Sequence, residues 1–289
     1  MPKIITEDMI EQAAIKALQE RHNYTVLNCM TEEPDTLPDG TGRKDKKQVV
    51  LPDVMLESLC RINPDIPEQI VRTVVDELCH TPVSGDLMLT NYQNYQKIRN
   101  GITVEYNKDG KKTSNILRLL SYNDALSNTF TVASQMWIKG ETHWRRPDLI
   151  IFINGFPLVF IELKNSNIPV KNAYDINLKN YLKDIPYLFN YNQICVLSNG
   201  METRLGSFAA GYEFFFEWLK VENEKENPDR KAIRESCTSL EYFIAGLCEP
   251  KNLLDYIENF ILYDRRRTKI IAKNHQFFGV NNAYNAFLR

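Results

Sequence analysis

The stretch RRPDLIIFINGFPLVFIELKN, residues 145–165, sets two apolar runs, 148–153 and 157–163, on either side of Asn154-Gly155. Both tip residues tolerate positive φ, so the pattern predicts a β-hairpin. A three-residue tip centred on Gly155 leaves Asp148 and Glu162 seven residues away on either side, directly opposite one another. Cross-strand partners hold their Cβ atoms about 4.5–5.5 Å apart. Strand alternation sends Lys164 to the face of Glu162 and turns Leu163 into the core. Three ionisable groups therefore converge at one end of an apolar hairpin. Two carboxylates so placed repel unless a cation lies between them. An oxygen-only donor set completed by water favours Mg²⁺ or Mn²⁺ over zinc. Such an ion polarises a phosphoryl oxygen and lowers the pKa of a water, while Lys164 orients that water or offsets charge in the transition state. Taken singly, each charge also fits a solvated strand end. Together they predict a metal-dependent phosphodiesterase site.

Working outward, strands are expected at 116–122, 129–138 and 192–198, with a helix at 171–183. Upstream, Thr6 caps an amphipathic helix carrying Met9, Ile10, Ala13, Ala14, Ala17 and Leu18 at helical spacing. Residues 31–48 combine Pro, Gly and charge and read as a solvated loop. Helices are expected at 51–63 and 67–80, ended by Thr81-Pro82 and Ser84-Gly85, and the polar segment 86–106 leads towards strands. After Gly206 the aromatic run continues, with Phe214, Phe215, Phe216 and Trp218 read as core. The acidic stretch 221–230 reads as a loop or boundary, 238–262 as helical, and 264–289 as a charged tail. Strands feeding helices around a central hairpin give an α/β class, a mixed sheet flanked by helices.

Composition narrows the field. Hydrophobic residues make up 43% and charged residues 25% of the 289 residues, which excludes wholesale disorder and fibrous repeats. A formal charge of −2 excludes a globally basic nucleic-acid coat but leaves room for a local positive groove. Six scattered cysteines, none at CxxC spacing, read as reduced thiols and argue against a zinc knuckle. No window approaches the roughly 18 apolar residues of a membrane span, and the N-terminus lacks a signal-peptide run. A cytoplasmic chain is expected.

These 21 residues resemble the nuclease core of the R (restriction) subunit of type I restriction-modification enzymes, a branch of the PD-(D/E)xK nuclease superfamily. The RPD entry, the apolar N-G-x-P-L hairpin and the ELKN exit carry the likeness. It extends to the acidic first helix, to 128–135 and to the tail 269–283. The resemblance implies a PD-(D/E)xK restriction-endonuclease-like core over 1–235 and a helical extension, 236–289, leading to a helicase-like motor. It makes Asp148 and Glu162 metal ligands and Lys164 the catalytic lysine. The family's Gln-x-x-x-Tyr element on the next helix is represented by Tyr181, with Asn177, one methylene shorter, in the Gln position. An acidic residue of the first helix, Glu7 or Glu11, often approaches the site in this superfamily. Gln276 resembles the adenine-contacting glutamine that precedes the motor.

No GxxxxGK[ST] occurs, since Asp109-Gly110-Lys111-Lys112-Thr113 lacks the upstream glycine. ATP would thus serve only a motor missing from these residues, which implies an expressed fragment or a truncated gene. Arg145 and Arg146 are read as DNA-phosphate contacts. Lys108, Lys111 and Lys112 sit on a turn expected to neighbour the site, and 43–47 and 265–267 are further basic runs. No element is patterned to read base edges, consistent with the family's separate specificity (S) subunit beside the methylase (M) subunit. The implied function is Mg²⁺-dependent endonucleolytic cleavage of double-stranded DNA, coupled in the full subunit to ATP-driven translocation. The alternatives are a docking or scaffold module inactive on its own, and a stand-alone PD-(D/E)xK repair nuclease.

Overall fold

The computed structural model describes residues 4–80 and 85–288, so the expected break at Thr81-Pro82 and Ser84 lies outside the described residues. Helix α1 (Glu7–His22) begins at the Thr6 cap, whose hydroxyl accepts from the Met9 amide. Strand β1 (Thr25–Asn28) follows, then α2 (Pro52–Ile62), α3 (Glu68–Cys79) and α4 (Leu87–Asn100). A hairpin of β2 (Ile102–Lys108) and β3 (Lys111–Leu117) leads to β4 (Phe130–Ser134), the short pair β5 (Ile138–Lys139) and β6 (Trp144–Arg145), and the central β7 (Leu149–Ile153) and β8 (Phe156–Leu163). A π-helical turn, Ala173–Leu178, runs into α5 (Lys179–Asp184). The chain continues through β9 (Ile194–Ser198), β10 (Thr203–Gly206), β11 (Phe216–Glu217), α6 (Arg230–Ser236), α7 (Ser239–Leu247) and α8 (Pro250–Asn259). It closes with β12 (Ile261–Asp264), β13 (Thr268–Ile271) and α9 (Asn274–Phe287).

One seven-stranded sheet, in the order β1-β4-β7-β8-β9-β10-β11, forms the centre. Its β1/β4 and β8/β9 pairs are parallel and the remainder antiparallel, so the expected mixed α/β sheet is present. Every residue of β7 and β8 is buried, as expected for strands covered on both faces. Leu149, Ile151 and Ile161 face one core, and Ile150, Phe152 and Phe160 the other.

The hairpin between these strands reaches the expected pairing by a different route. Its tip has two residues, Asn154 (φ 50°) and Gly155 (φ 82°), with Ile153 paired to Phe156. A Cβ on Gly155 would approach the Leu51 carbonyl oxygen to 2.6 Å, so only glycine fits. Asn154 is fully buried, its side chain accepting from the Thr129 amide at 2.8 Å and donating to the Leu119 oxygen at 3.0 Å. Pairing then shifts by one residue between Phe152↔Pro157 and Ile151↔Val159, leaving Leu158 as the extra residue of a bulge. From Leu149↔Ile161, the next rung sets Asp148 across from Glu162. A regular two-residue hairpin through the same sequence would set Ile161 there and turn Glu162 to the opposite face.

Several expectations are corrected. Residues 87–100 form helix α4 rather than a lead into strands, started by Asp86, which accepts from the Leu89 amide at 3.0 Å. The strand expected at 116–122 ends at Leu117, because Arg118 and Leu119 turn to bond Asn63 and Asn154. Within 31–48 the loop is not wholly solvated: Asp39, Arg43 and Lys46 are buried, with Arg43 Nη2 2.5 Å and Lys46 Nζ 2.8 Å from Asp39 Oδ2. The segment expected as a tail contains β13 and α9, and Phe277 packs on Tyr256 and Trp218. Of the four aromatics assigned to the core, Phe214 is instead 68% exposed and Phe216 half-buried. All six cysteines are free thiols. Among the described residues no helix is long and apolar enough to cross a membrane.

Candidate active site

The open end of the β7–β8 hairpin, opposite its glycine tip, gathers the charged residues. Asp148 leads into β7, its carbonyl accepting from the Gln135 amide at 3.0 Å and its Oδ2 from the Leu163 amide at 2.7 Å. Glu162, 2% exposed, lies on the same face as Phe160. Lys164 follows on that face, its Nζ 3.2 Å from Glu162 Oε1 and also donating to the Leu163 oxygen. Glu162 Oε2 is buried with no hydrogen-bond partner. A buried carboxylate oxygen without a hydrogen bond costs free energy, so this atom suits a cation ligand. Burial pushes Glu162 well above the usual carboxylate range, reinforced by the charge of Asp148 and opposed by Lys164. Burial likewise lifts Asp148 to about 6, against the Leu163 amide and Lys164.

Helix α1 supplies two further carboxylates. Its N-terminus is stitched to the residues just past Lys164: the Glu7 amide donates to Asn165 Oδ1 at 2.8 Å, and the amides of Ile5 and Ser166 bond the other residue's hydroxyl and carbonyl oxygens, each at 2.9 Å. Glu7 Oε1 thereby lies 3.8 Å from Lys164 Nζ. Glu11, one turn on and 5% exposed, accepts a hydrogen bond from Gln135 Nε2. Burial raises Glu11 to about 7, with Asp148 and Asp8 adding to the rise and Gln135 opposing it. These residues and Arg146 line one cleft of about 400 Å³ that reaches Asp148. Among the described residues no three His, Cys, Asp or Glu side chains are gathered closely enough to form a metal cage of their own.

Tyr181 on α5 packs edge-to-face on Phe160, ring centroids 5.4 Å apart, and its hydroxyl donates to the Arg146 oxygen at 3.1 Å. Its pKa is pushed up first by burial and then by the neighbouring charges of Glu162 and Asp148. Asn177 precedes it by four residues on the same helical face and sits beside the hydroxyl, favouring its charged form. The π-helical turn that carries Asn177 is a feature often found at functional sites.

The structure separates the two arginines. Arg145 is held by Asp184, Nε to Oδ2 at 2.7 Å, whereas Arg146 lines the cleft with its guanidinium 4.9 Å from the Trp137 ring centroid. None of Lys108, Lys111 and Lys112 lines the cleft. The chain leaving their hairpin is tied through Leu119 to the Asn154 tip, and six residues of strand, about 20 Å, separate that tip from Asp148. Arg43 and Lys46 are buried on Asp39, and the exposed Arg265, Arg266 and Arg267 turn the β12–β13 hairpin. Gln276 caps α9, accepting from the Lys273 amide at 2.8 Å, and lines a separate pocket with Phe214 and Lys269. Sequence reasoning missed Gln135 as a contact of Glu11, since a polar residue just past a strand carries no periodic signal.

The model of the type I restriction enzyme R protein N terminus matches residues 4–214. The chain is 33% identical over 293 residues to the type I restriction enzyme HindI endonuclease subunit of Haemophilus influenzae, covering 97% of this chain and 26% of that protein. It is 29% identical over 297 residues to the provisionally named type I restriction enzyme MjaIXP endonuclease subunit of Methanocaldococcus jannaschii, covering 97% of this chain and 28% of that protein. It is also 28% identical over 190 residues to the EcoprrI endonuclease subunit of Escherichia coli, covering 63% of this chain and 56% of that protein. The chain thus spans about a quarter of the length of the first two relatives.

Proposed function

The chain belongs to the family of type I restriction enzyme R protein N termini, and from that membership we propose that it is the DNA-cleaving module of such a subunit, with a PD-(D/E)xK active site formed by Asp148, Glu162 and Lys164. The observation that carries this reading is the bulge-set pairing of buried Glu162 with half-buried Asp148 and a lysine on the same face, one Glu162 oxygen being left without a hydrogen bond.

Asp148 and Glu162 would hold Mg²⁺ or Mn²⁺, with water completing the oxygen shell, because hard divalent ions are commonly bound through one or two carboxylates. When bound, the ion supplies Lewis-acid polarisation of a phosphoryl oxygen and lowers the pKa of a water. The protein's own groups do the rest. Lys164, already a donor to Glu162 Oε1 and 3.8 Å from the cleft residue Glu7, sets a positive charge beside the two carboxylates, where it orients the attacking water or offsets charge on the phosphate. Tyr181 packs on Phe160 beside Glu162 and Asp148, and with Asn177 it offers polar groups towards the DNA backbone. Arg146 is the cleft's cation for phosphate steering. Cleavage without base reading suits a double-stranded DNA substrate presented by other parts of a type I complex: methylase and specificity subunits, and an ATP-driven motor elsewhere in the R subunit.

Plasmid nicking by the 289-residue chain with Mg²⁺ or Mn²⁺, compared with Asp148→Ala and Lys164→Ala, tests the proposal. Metal-dependent cleavage that both substitutions abolish supports it. Cleavage that neither substitution changes contradicts the residue assignment.

A further inference from the structure

Gln135 stands in the left-handed region, φ 55°, immediately after β4. A side chain there strains the backbone in a way that glycine avoids. Two contacts hold it. Its backbone N–H extends the β4–β7 ladder by one bond onto the Asp148 oxygen, at 3.0 Å, and its side-chain amide donates to Glu11 Oε2 across 124 residues of sequence. Glycine would keep the first contact and lose the second. The left-handed turn therefore aims an amide at a buried carboxylate on a different element, beside the residue that begins β7.

We propose that Gln135 is a positioning residue of the cleft, holding the Glu11 carboxylate towards Asp148 as an outer group, so that a divalent ion bound by Asp148 and Glu162 lies in the field of a third carboxylate that does not ligate it. This inference rests on the metal site proposed above. Glu11 stands on α1, and the bonds that dock that helix beside the site are made at Ile5 and Glu7, one turn earlier. Of the residues lining the cleft, only Gln135 ties the Glu11 side chain to the sheet. Without it the carboxylate is free to swing towards solvent, since an unpaired buried carboxylate is costly.

The test is Mn²⁺ binding to the 289-residue chain, read by the loss of the free-ion electron paramagnetic resonance signal, together with metal-free thermal midpoints. Gln135→Gly removes the amide and relieves the backbone. It is expected to leave the thermal midpoint at or above that of the parent while weakening Mn²⁺ binding about tenfold, the effect typical of a lost outer contact. Gln135→Asn tolerates the same backbone but ends one methylene short of Glu11, and is expected to behave as Gln135→Gly. Glu11→Ala should weaken binding comparably, and adding Gln135→Gly to it should weaken binding no further, because two residues acting through one contact are not additive. Binding by Gln135→Gly equal to the parent's, or a loss that adds in full to that of Glu11→Ala, overturns the proposal while leaving the metal site intact. A parent that takes up no Mn²⁺, or takes up as much with Asp148→Ala, overturns the metal site and this inference with it.

Discussion

Asp148 and Glu162 face one another because a single extra residue, Leu158, interrupts the β7–β8 ladder between the tip and the charges. A two-residue turn alone would pair Asp148 with Ile161 and bury Glu162 among the aliphatic side chains on the opposite face. The bulge also absorbs the loss of one residue. Deleting Leu158 should therefore give a regular hairpin with Asp148 and Glu162 still opposed, destabilised by about 2–5 kcal/mol for the missing buried side chain but still binding Mn²⁺. Inserting one alanine between Val159 and Phe160 should abolish binding. Equilibrium unfolding and Mn²⁺ titration of the two variants check this pair.

Glu162 carries the unpartnered oxygen, and metal should be its remedy. Addition of Mg²⁺ at about 100 times its dissociation constant should stabilise the parent by about 2.7 kcal/mol. Removal by EDTA should reverse the gain, and Glu162→Gln should show none. In metal-free buffer Glu162→Gln should be at least as stable as the parent, since the amide sheds the cost of a buried charge. Thermal unfolding with and without Mg²⁺ reads all three outcomes.

The Asp39–Arg43–Lys46 cluster gives a pH dependence of definite sign. Burial alone would raise the Asp39 pKa, but hydrogen bonds from Lys46 and Thr41 and the charge of Arg43 reverse this and hold it well below the usual range. A depressed folded-state pKa means the contribution to stability is fully present above the unfolded aspartate value, 3.8, and is lost as pH falls below it. Asp39→Asn strands two buried cations and should cost about 3–5 kcal/mol at pH 7. Denaturant titrations should show that deficit shrinking as pH is lowered through the range below 3.8.

The two neighbouring arginines should separate under substitution. Arg146 faces the cleft, so Arg146→Ala should weaken DNA binding at all sequences and lower the salt-dependence slope by about one. Arg145 is bound to Asp184, which is 4% exposed, so Arg145→Ala should chiefly lower the thermal midpoint. Fluorescence anisotropy with duplex DNA over a range of salt, alongside thermal unfolding, distinguishes them.

Much of this was legible in the sequence where apolar pattern and turn chemistry coincide. The hairpin, its charges, α2 and α3 follow from spacing alone. Helix α4 was hidden because its buried face carries Asn91 and Asn94, whose amides donate to the oxygens of Phe189, Asn190 and Asn192, so no apolar stripe marks it. The buried Asp39 cluster reads as solvated because ion pairs and exposed charges look alike in sequence. The expected pairing of Asp148 with Glu162 assumed a three-residue tip; the chain instead combines a two-residue tip with a bulge, an equivalence that residue counting cannot resolve. The resemblance reaches Gln135 but not its role, which depends on a side-chain contact with α1 across 124 residues.

Whether Asp148, Glu162 and Lys164 cut DNA is decided most directly in a complete R subunit assembled with methylase and specificity subunits. Asp148→Ala or Lys164→Ala would be introduced there, and DNA cleavage measured beside ATP hydrolysis with Mg²⁺. Double-strand cleavage is expected to be lost while ATP hydrolysis continues at the parent rate. Cleavage by either substituted complex at the parent rate would contradict the assignment.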